Sequence, residues 1–252
     1  LNKNIKLQIE QMLNYVVKTV KDKEGRRNRY LLLLKYLLCY AESSGLQDIL
    51  KMETTQEEEF ASLLRKQMGG YNVNATNFIA FCRKRLFLEA KEIDWEANVW
   101  YVEKLNIAPE RYSLSSTIES FSFLDIQLED NRKMLQEYLK YLFTVTNLNL
   151  GTIRIKQTYI KEFLKYLEEQ EKAITRINVN SVKEYFEKLS TQRISPQSYN
   201  NKIREVITFL QYLQVTEHID YFKVPVFFYK KKSYPKDHEI RDLDQKLDLL
   251  ML

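Results

Sequence analysis

The chain has little of what turns, metal sites and membrane spans require. Its 252 residues include only 5 Gly and 4 Pro, which argues against a β-rich or disordered chain, since turns and linkers need both. Its 2 Cys and 2 His show no metal-ligand spacing, so neither a disulfide framework nor a Cys/His metal site is expected. Cys39 and Cys82 fall inside apolar helical patterns and read as buried thiols in a reducing compartment. No apolar run approaches the ~20 residues of a membrane span, and Tyr30 to Tyr40 is too short. A Gly-rich phosphate loop and a Ser-His-Asp set are also missing, so neither a cofactor nor a small-molecule substrate is expected. No signal peptide is visible, and a start at Leu1 instead of Met reads as a fragment of a longer protein.

What is present points to helices. Hydrophobic content is 44%, enough for real cores, and Tyr (17) and Phe (13) are plentiful. Apolar residues recur at helical spacing from Ile5 to Val20, with Ile5, Ile9, Met12, Leu13, Val16 and Val17 on one side. Lys21 to Arg29 reads as a charged break, and Tyr30 to Glu42 as a helix apolar nearly all round, ended by Gly45. Thr54 or Thr55 can cap a helix to Met68, and Asn74 one through Leu88. Residues 91–130 lose the helical period; Trp95, Trp100 and the Phe-rich run before residue 130 read as a connector with short extended pieces, its tryptophans between two halves. Helices resume at Asn131, Gly151, Asn178 and Ser195. These starts trail those near Ile5, Asn28, Thr54 and Asn74 by 121 to 126 residues, so one four-helix plan is expected twice.

Charge is placed unevenly. Residues 1–150 hold 21 basic and 20 acidic side chains, residues 151–235 hold 15 and 9, and residues 236–252 hold 3 and 5. A basic excess on one domain is the electrostatic footprint of a polyanion partner. It sits with the stretch Ile194 to Leu213. There Ser195 can cap a helix, Pro196 suits its first position, and Tyr199, Ile203, Val206, Ile207, Leu210 and Leu213 form a buried stripe. The opposite face carries Gln197, Ser198, Asn200, Asn201, Lys202 and Arg204. Amides and guanidinium match base edges and ammonium matches phosphate, so the face suits a DNA groove; the competing reading is a solvated polar face.

Ile194-Ser195-Pro196, the polar run to Arg204 and Phe209-Leu210-Gln211-Tyr212-Leu213 resemble the last long helix of the core-binding (SAM-like) domain of tyrosine recombinases, the phage integrase family. Thr158 to Leu167 resembles that domain's first long helix, and Ile174 to Leu189 its turn and short helix. The tandem plan and tryptophan connector are similar to a transposon-encoded subgroup with an extra helical region. The resemblance implies an all-α fold of two tandem four-helix SAM-like bundles: an N-terminal helical domain (1–90), a connector (91–130), a core-binding domain (131–222), and a linker running into an absent catalytic domain (223–252).

By the resemblance, this region is not itself an enzyme. It grips duplex DNA at a recombination site during integration or transposition, while the absent domain cuts and rejoins the strand and the full-length protein assembles as a tetramer on DNA. The implied location is the cytoplasm, on the nucleoid. The residues expected to touch DNA are Thr152, Arg154, Lys156, Gln157 and Lys161 on the second helix of the second unit. Arg193, Gln197, Ser198, Asn200, Asn201, Lys202 and Arg204 follow around the fourth, and Lys230, Lys231 and Lys232 on the linker. Lys202 and Arg204 are expected to be replaceable by Ala without loss of stability. The family's nucleophilic Tyr and catalytic arginines have no counterpart; His238-Glu-Ile-Arg241 spells its His-x-x-Arg but too few residues surround it, and His218 reads as a loose helix-end side chain. The alternative is an all-α interaction scaffold, against which stands the lack of a repeat near ~34 residues.

Overall fold

The computed structural model describes residues 2–69, 77–112 and 117–232. In the first bundle Asn2 caps α1 (Lys3–Thr19) by accepting from the Asn4 N–H at 2.9 Å. Ile5, Ile9, Met12 and Val16 are buried, while Leu13 and Val17, expected beside them, face out at 38% and 52% exposure. The charged run after α1 is helix and not a break. The Asp22 carboxylate accepts from the Glu24 and Gly25 N–H groups, and α2 (Lys23–Arg26) passes through a π-helical turn (Arg27–Leu31) into α3 (Leu32–Ser44). Long cationic side chains are good helix formers when their heads stay in water.

Helix α3 buries Leu33, Leu34, Leu37 and Tyr40 and ends at Gly45, whose φ of 71° is the left-handed conformation glycine tolerates. Its outer face holds Cys39, so of the two thiols expected to be buried only Cys82 is; burial pushes that thiol well above the ordinary cysteine value. Helix α4 (Thr54–Met68) is capped by Glu53, which shares a capping box with Gln56, and not by a threonine. The Thr54 hydroxyl instead donates to the Leu124 carbonyl at 3.0 Å. Helix α5 (Phe78–Glu89) completes the bundle; the expected start at Asn74 lies outside the described residues.

The connector's extended pieces are a two-stranded antiparallel ribbon, β1 (Val99–Tyr101) against β2 (Ser120–Ser122), with Trp100 opposite Phe121. Trp100 is fully buried, with ring centroids 4.9 Å from Trp95 and 4.7 Å from Phe123, and it reaches Phe143 in the second bundle. Polar bonds fasten both sides. Asn98 donates to the Lys51 and Met52 carbonyls, Gln136 to the Ala97 carbonyl at 3.0 Å, and Arg132 to Glu53 at 2.7 Å.

The second bundle comprises α6 (Glu129–Thr144), α7 (Leu150–Glu169), α8 (Val179–Ser190) and α9 (Pro196–Val215). Asn149, Asn178 and Ser195 cap the last three. Asn131 is no cap: it is buried, accepts from the Ile174 N–H at 2.6 Å and donates to Glu168, tying α6 to α7 and the turn before α8. Tyr199, Ile203, Val206, Leu210 and Leu213 of α9 are buried as their spacing predicts, with Phe209 added and Ile207 half-buried. The described residues are thus all-α apart from the ribbon. After α9 the expected extended linker includes a 3₁₀ turn (Val226–Tyr229); the helix expected over Asp242 to Leu252 lies outside the described residues.

Because Trp100 fills the centre of the joint, Trp100→Ala is expected to lower stability by about 3–5 kcal/mol in denaturant unfolding.

Candidate nucleic-acid interface

Helix α9 presents one continuous outer stripe. Gln197, Asn201, Arg204, Thr208 and Gln211 recur at i, i+4, i+7, i+11 and i+14, and each is exposed or half-exposed. The Arg204 side chain is 66% exposed. The expected residues on this helix therefore divide. Gln197, Ser198, Asn201 and Arg204 lie at the surface or half-buried, whereas Lys202 is 8% exposed and its ammonium sits 2.6 Å from Glu162 of α7. Thr208 and Gln211 extend the stripe beyond the residues expected from sequence; continuing the i+4, i+7 step from Gln197 would have found them.

Asn200 does a different job from the one expected. Its amide donates to the Lys231 carbonyl at 2.8 Å and accepts from the Lys231 N–H at 2.9 Å, pairing like one residue of a ladder. Lys231 is also committed: its ammonium donates to the Ser190 carbonyl at the end of α8, at 3.0 Å, and lies 4.3 Å from the Tyr199 ring centroid. A cation at the carbonyl end of a helix is favoured by the helix dipole. This clamp lays the linker against the first turns of α9 and leaves Lys230 and Lys232, both exposed, beside it. Arg193 is exposed two residues before the Ser195 cap.

The polar side of α7 is largely covered. Arg154 donates to the Ser120 carbonyl and stacks 4.4 Å from the Phe121 ring. Gln157, 1% exposed, donates to the Ser122 carbonyl at 2.9 Å and accepts from Arg154. Lys161 pairs with Asp125 at 2.5 Å. All three hold the connector ribbon and its continuation. Lys156 is paired with Glu205 of α9, whose other oxygen accepts from Arg204 at 3.1 Å. Thr152 alone of the five expected α7 contacts is freely exposed. The sequence pattern could not show this, because the covering strand comes from more than 30 residues away.

Burial raises the Asp125 carboxyl, but hydrogen bonds from Lys161 and Lys165 outweigh it and hold the group below its ordinary value. Burial meanwhile pulls Lys161 below its own ordinary value, against the attraction of Asp125. The two effects offset in part, so the pair orients the ribbon more than it stabilises it. His218 is not loose, since its Nε2 lies 2.7 Å from a Glu137 oxygen. His238 and Arg241 lie outside the described residues. Among the described residues no group of three or more His, Cys, Asp or Glu side chains could hold a metal ion, and no helix is long and apolar enough to cross a membrane.

Residues 135–221 match the family model described as phage integrase, N-terminal SAM-like domain. The second bundle is similar to a phage integrase SAM-like domain. The match spans most of α6 and all of α7, α8 and α9, and it bears out the family resemblance of Ile194 to Leu213. Comparisons with curated proteins and with solved structures return no match. Within this bundle the outward amides of α9 and the Arg204 side chain, which shares Glu205 with Lys156, face solvent, and the cations facing α7 are neutralised internally.

Lys202→Ala is expected to lower stability by about 1–3 kcal/mol, because it strips a buried stem and leaves Glu162 unpaired, while Arg204→Ala changes it by less than about 0.5 kcal/mol. Thermal or denaturant unfolding of the two variants separates them. A second expectation concerns pH. A carboxyl held below its unfolded value stabilises at neutral pH, and the gain disappears as pH falls through the depressed value. Asp125→Asn should therefore cost up to about 1 kcal/mol at neutral pH, and the gap to the parent protein should close in acid.

Proposed function

We propose that the SAM-like domain grips duplex DNA through the outer stripe of α9 and through Arg193, Lys230 and Lys232. In this reading it serves the recombination reaction of a longer tyrosine recombinase, integrase or transposase. The carrying observation is the Asn200–Lys231 clamp, which brings two exposed lysines beside a helix face of amides and the outward Arg204. Amide and guanidinium groups can pair two-pronged with base edges, so Gln197, Asn201, Arg204 and Gln211 are assigned to the groove. Arg193, Lys230 and Lys232 are assigned to phosphates, which supply affinity without reading sequence.

The seam beneath this face has a role of its own. Glu205 and Glu162 neutralise Lys156 and Lys202, so these two lysines are not assigned to DNA. Arg154, Gln157 and Lys161 stiffen the platform by holding the ribbon and are not assigned to DNA. The family's integrases act on DNA, and the proposed setting for this chain is the cytoplasm, with several copies assembling on one site.

The test is equilibrium binding of the 252-residue chain to duplex DNA across a salt series. Affinity should fall steeply with salt, by about 0.9 log units per log unit of salt for each phosphate neutralised. Arg193→Ala, Lys230→Ala and Lys232→Ala together should flatten that slope by nearly 3 log units per log unit. Binding that is absent or indifferent to salt would overturn the proposal in favour of a protein-interaction role.

A further inference from the structure

The first bundle carries a cationic surface that the α9 stripe does not account for. From Lys18 to Arg29 the chain holds six cationic side chains and two carboxylates. One of those carboxylates, Asp22, is occupied capping α2. Arg27 and Arg29 are exposed, and among the described residues neither forms an ion pair. In this bundle Arg83 pairs with Glu57, Lys84 with Glu103 and Lys51 with Glu96, while the exposed Lys35, Arg65 and Lys66 are scattered along α3 and α4. Near-zero net charge over residues 1–150 thus conceals a dense local excess at Lys18 to Arg29.

The excess rests on a rigid floor. Tyr15 and Tyr30 pack on Phe81 with ring centroids 6.0 and 5.2 Å away, and Arg85 lies 4.9 Å from the Tyr15 ring. Arg29 and Tyr30 line a cleft of about 150 Å³ with Asn77, Phe78 and Phe81. The π-helical turn over Arg27–Leu31 sits in this patch, and such widened turns occur disproportionately at functional sites because they re-aim side chains out of the helical register.

Its position separates it from the joint between the bundles. The N-terminal end of α1 is tied to the joint side: Asn4 donates to the Gln47 carbonyl, Gln8 pairs with Asp48, and Asn98 of the connector donates to the Leu50 carbonyl. The cationic patch lies at the other end of this 17-residue helix, about 25 Å along. That distance corresponds to roughly seven base-pair rises of duplex.

We infer that the far end of the first bundle, centred on Arg27 and Arg29, is a second polyanion-binding surface that takes the phosphate backbone of duplex DNA outside the segment gripped by the SAM-like domain. A line of phosphates suits exposed arginines that hold no ion pair among the described residues, because each guanidinium can take a phosphate oxygen as acceptor. The choice of DNA as the polyanion rests on the function proposed for the second bundle; the surface itself does not.

The experiment compares the full chain with Arg27→Ala/Arg29→Ala on duplexes of about 12 and about 30 base pairs, across a salt series. The double variant should bind the short duplex like the parent chain. On the long duplex its salt slope should be lower by nearly 2, from two phosphates at about 0.9 each. Arg27→Lys/Arg29→Lys keeps the charge and should retain most of the long-duplex affinity, which guards against an effect of misfolding. An unchanged slope on the long duplex would overturn the inference alone and favour an acidic protein partner. Equal loss on both duplexes would overturn the separate location, and failure of the parent chain to bind any duplex would overturn both this inference and the proposed function.

Discussion

The contact on which this molecule's surface chemistry depends is the ion-paired seam between α7 and α9. Lys156 meets Glu205, Lys202 meets Glu162, and both lysines are largely removed from water. Buried charge must be paired, and pairing here consumes cations that a sequence reading would give to a ligand. What escapes the seam is set by helical geometry. Arg204 shares Glu205 with Lys156 yet points outward, and the stripe from Gln197 to Gln211 follows from it.

A second constraint is the connector. A ribbon of two short strands would be marginal alone. It persists because Trp100 and its aromatic neighbours bury it and because Arg154, Gln157 and Lys161 bond its outer strand and the turn beyond. The cost is that one face of α7 is covered. The two bundles are thereby joined by side chains from both, with Arg132 on Glu53 and Asn98 on Met52 closing the junction.

Much of the fold was legible in the sequence for a local reason: caps and apolar periods act within a few residues. Ser195-Pro196, Asn178 and Gly45 mark boundaries where they were expected. The errors share a cause as well. Charge between Lys21 and Arg29 reads as a break, yet Asp22 can start a helix there. Position 39 reads as buried by composition, yet its phase turns it outward. At the candidate interface, residue types drew attention to α9 but not to which side chains are spent on internal partners. Asn200, Lys202 and Lys231 are drawn inward by partners 31 and 40 residues distant, and the linker's docking on α9 leaves no local signature.

The central claim is that DNA meets the outward stripe of α9 and not the seam behind it. It is tested most directly by following the side-chain N–H signals of arginine and lysine by NMR while duplex DNA is added. The account predicts that Arg193 and Arg204 shift with DNA while Arg154 and Lys202 keep their positions. Shifts at Arg154 or Lys202 with Arg204 unmoved would contradict it.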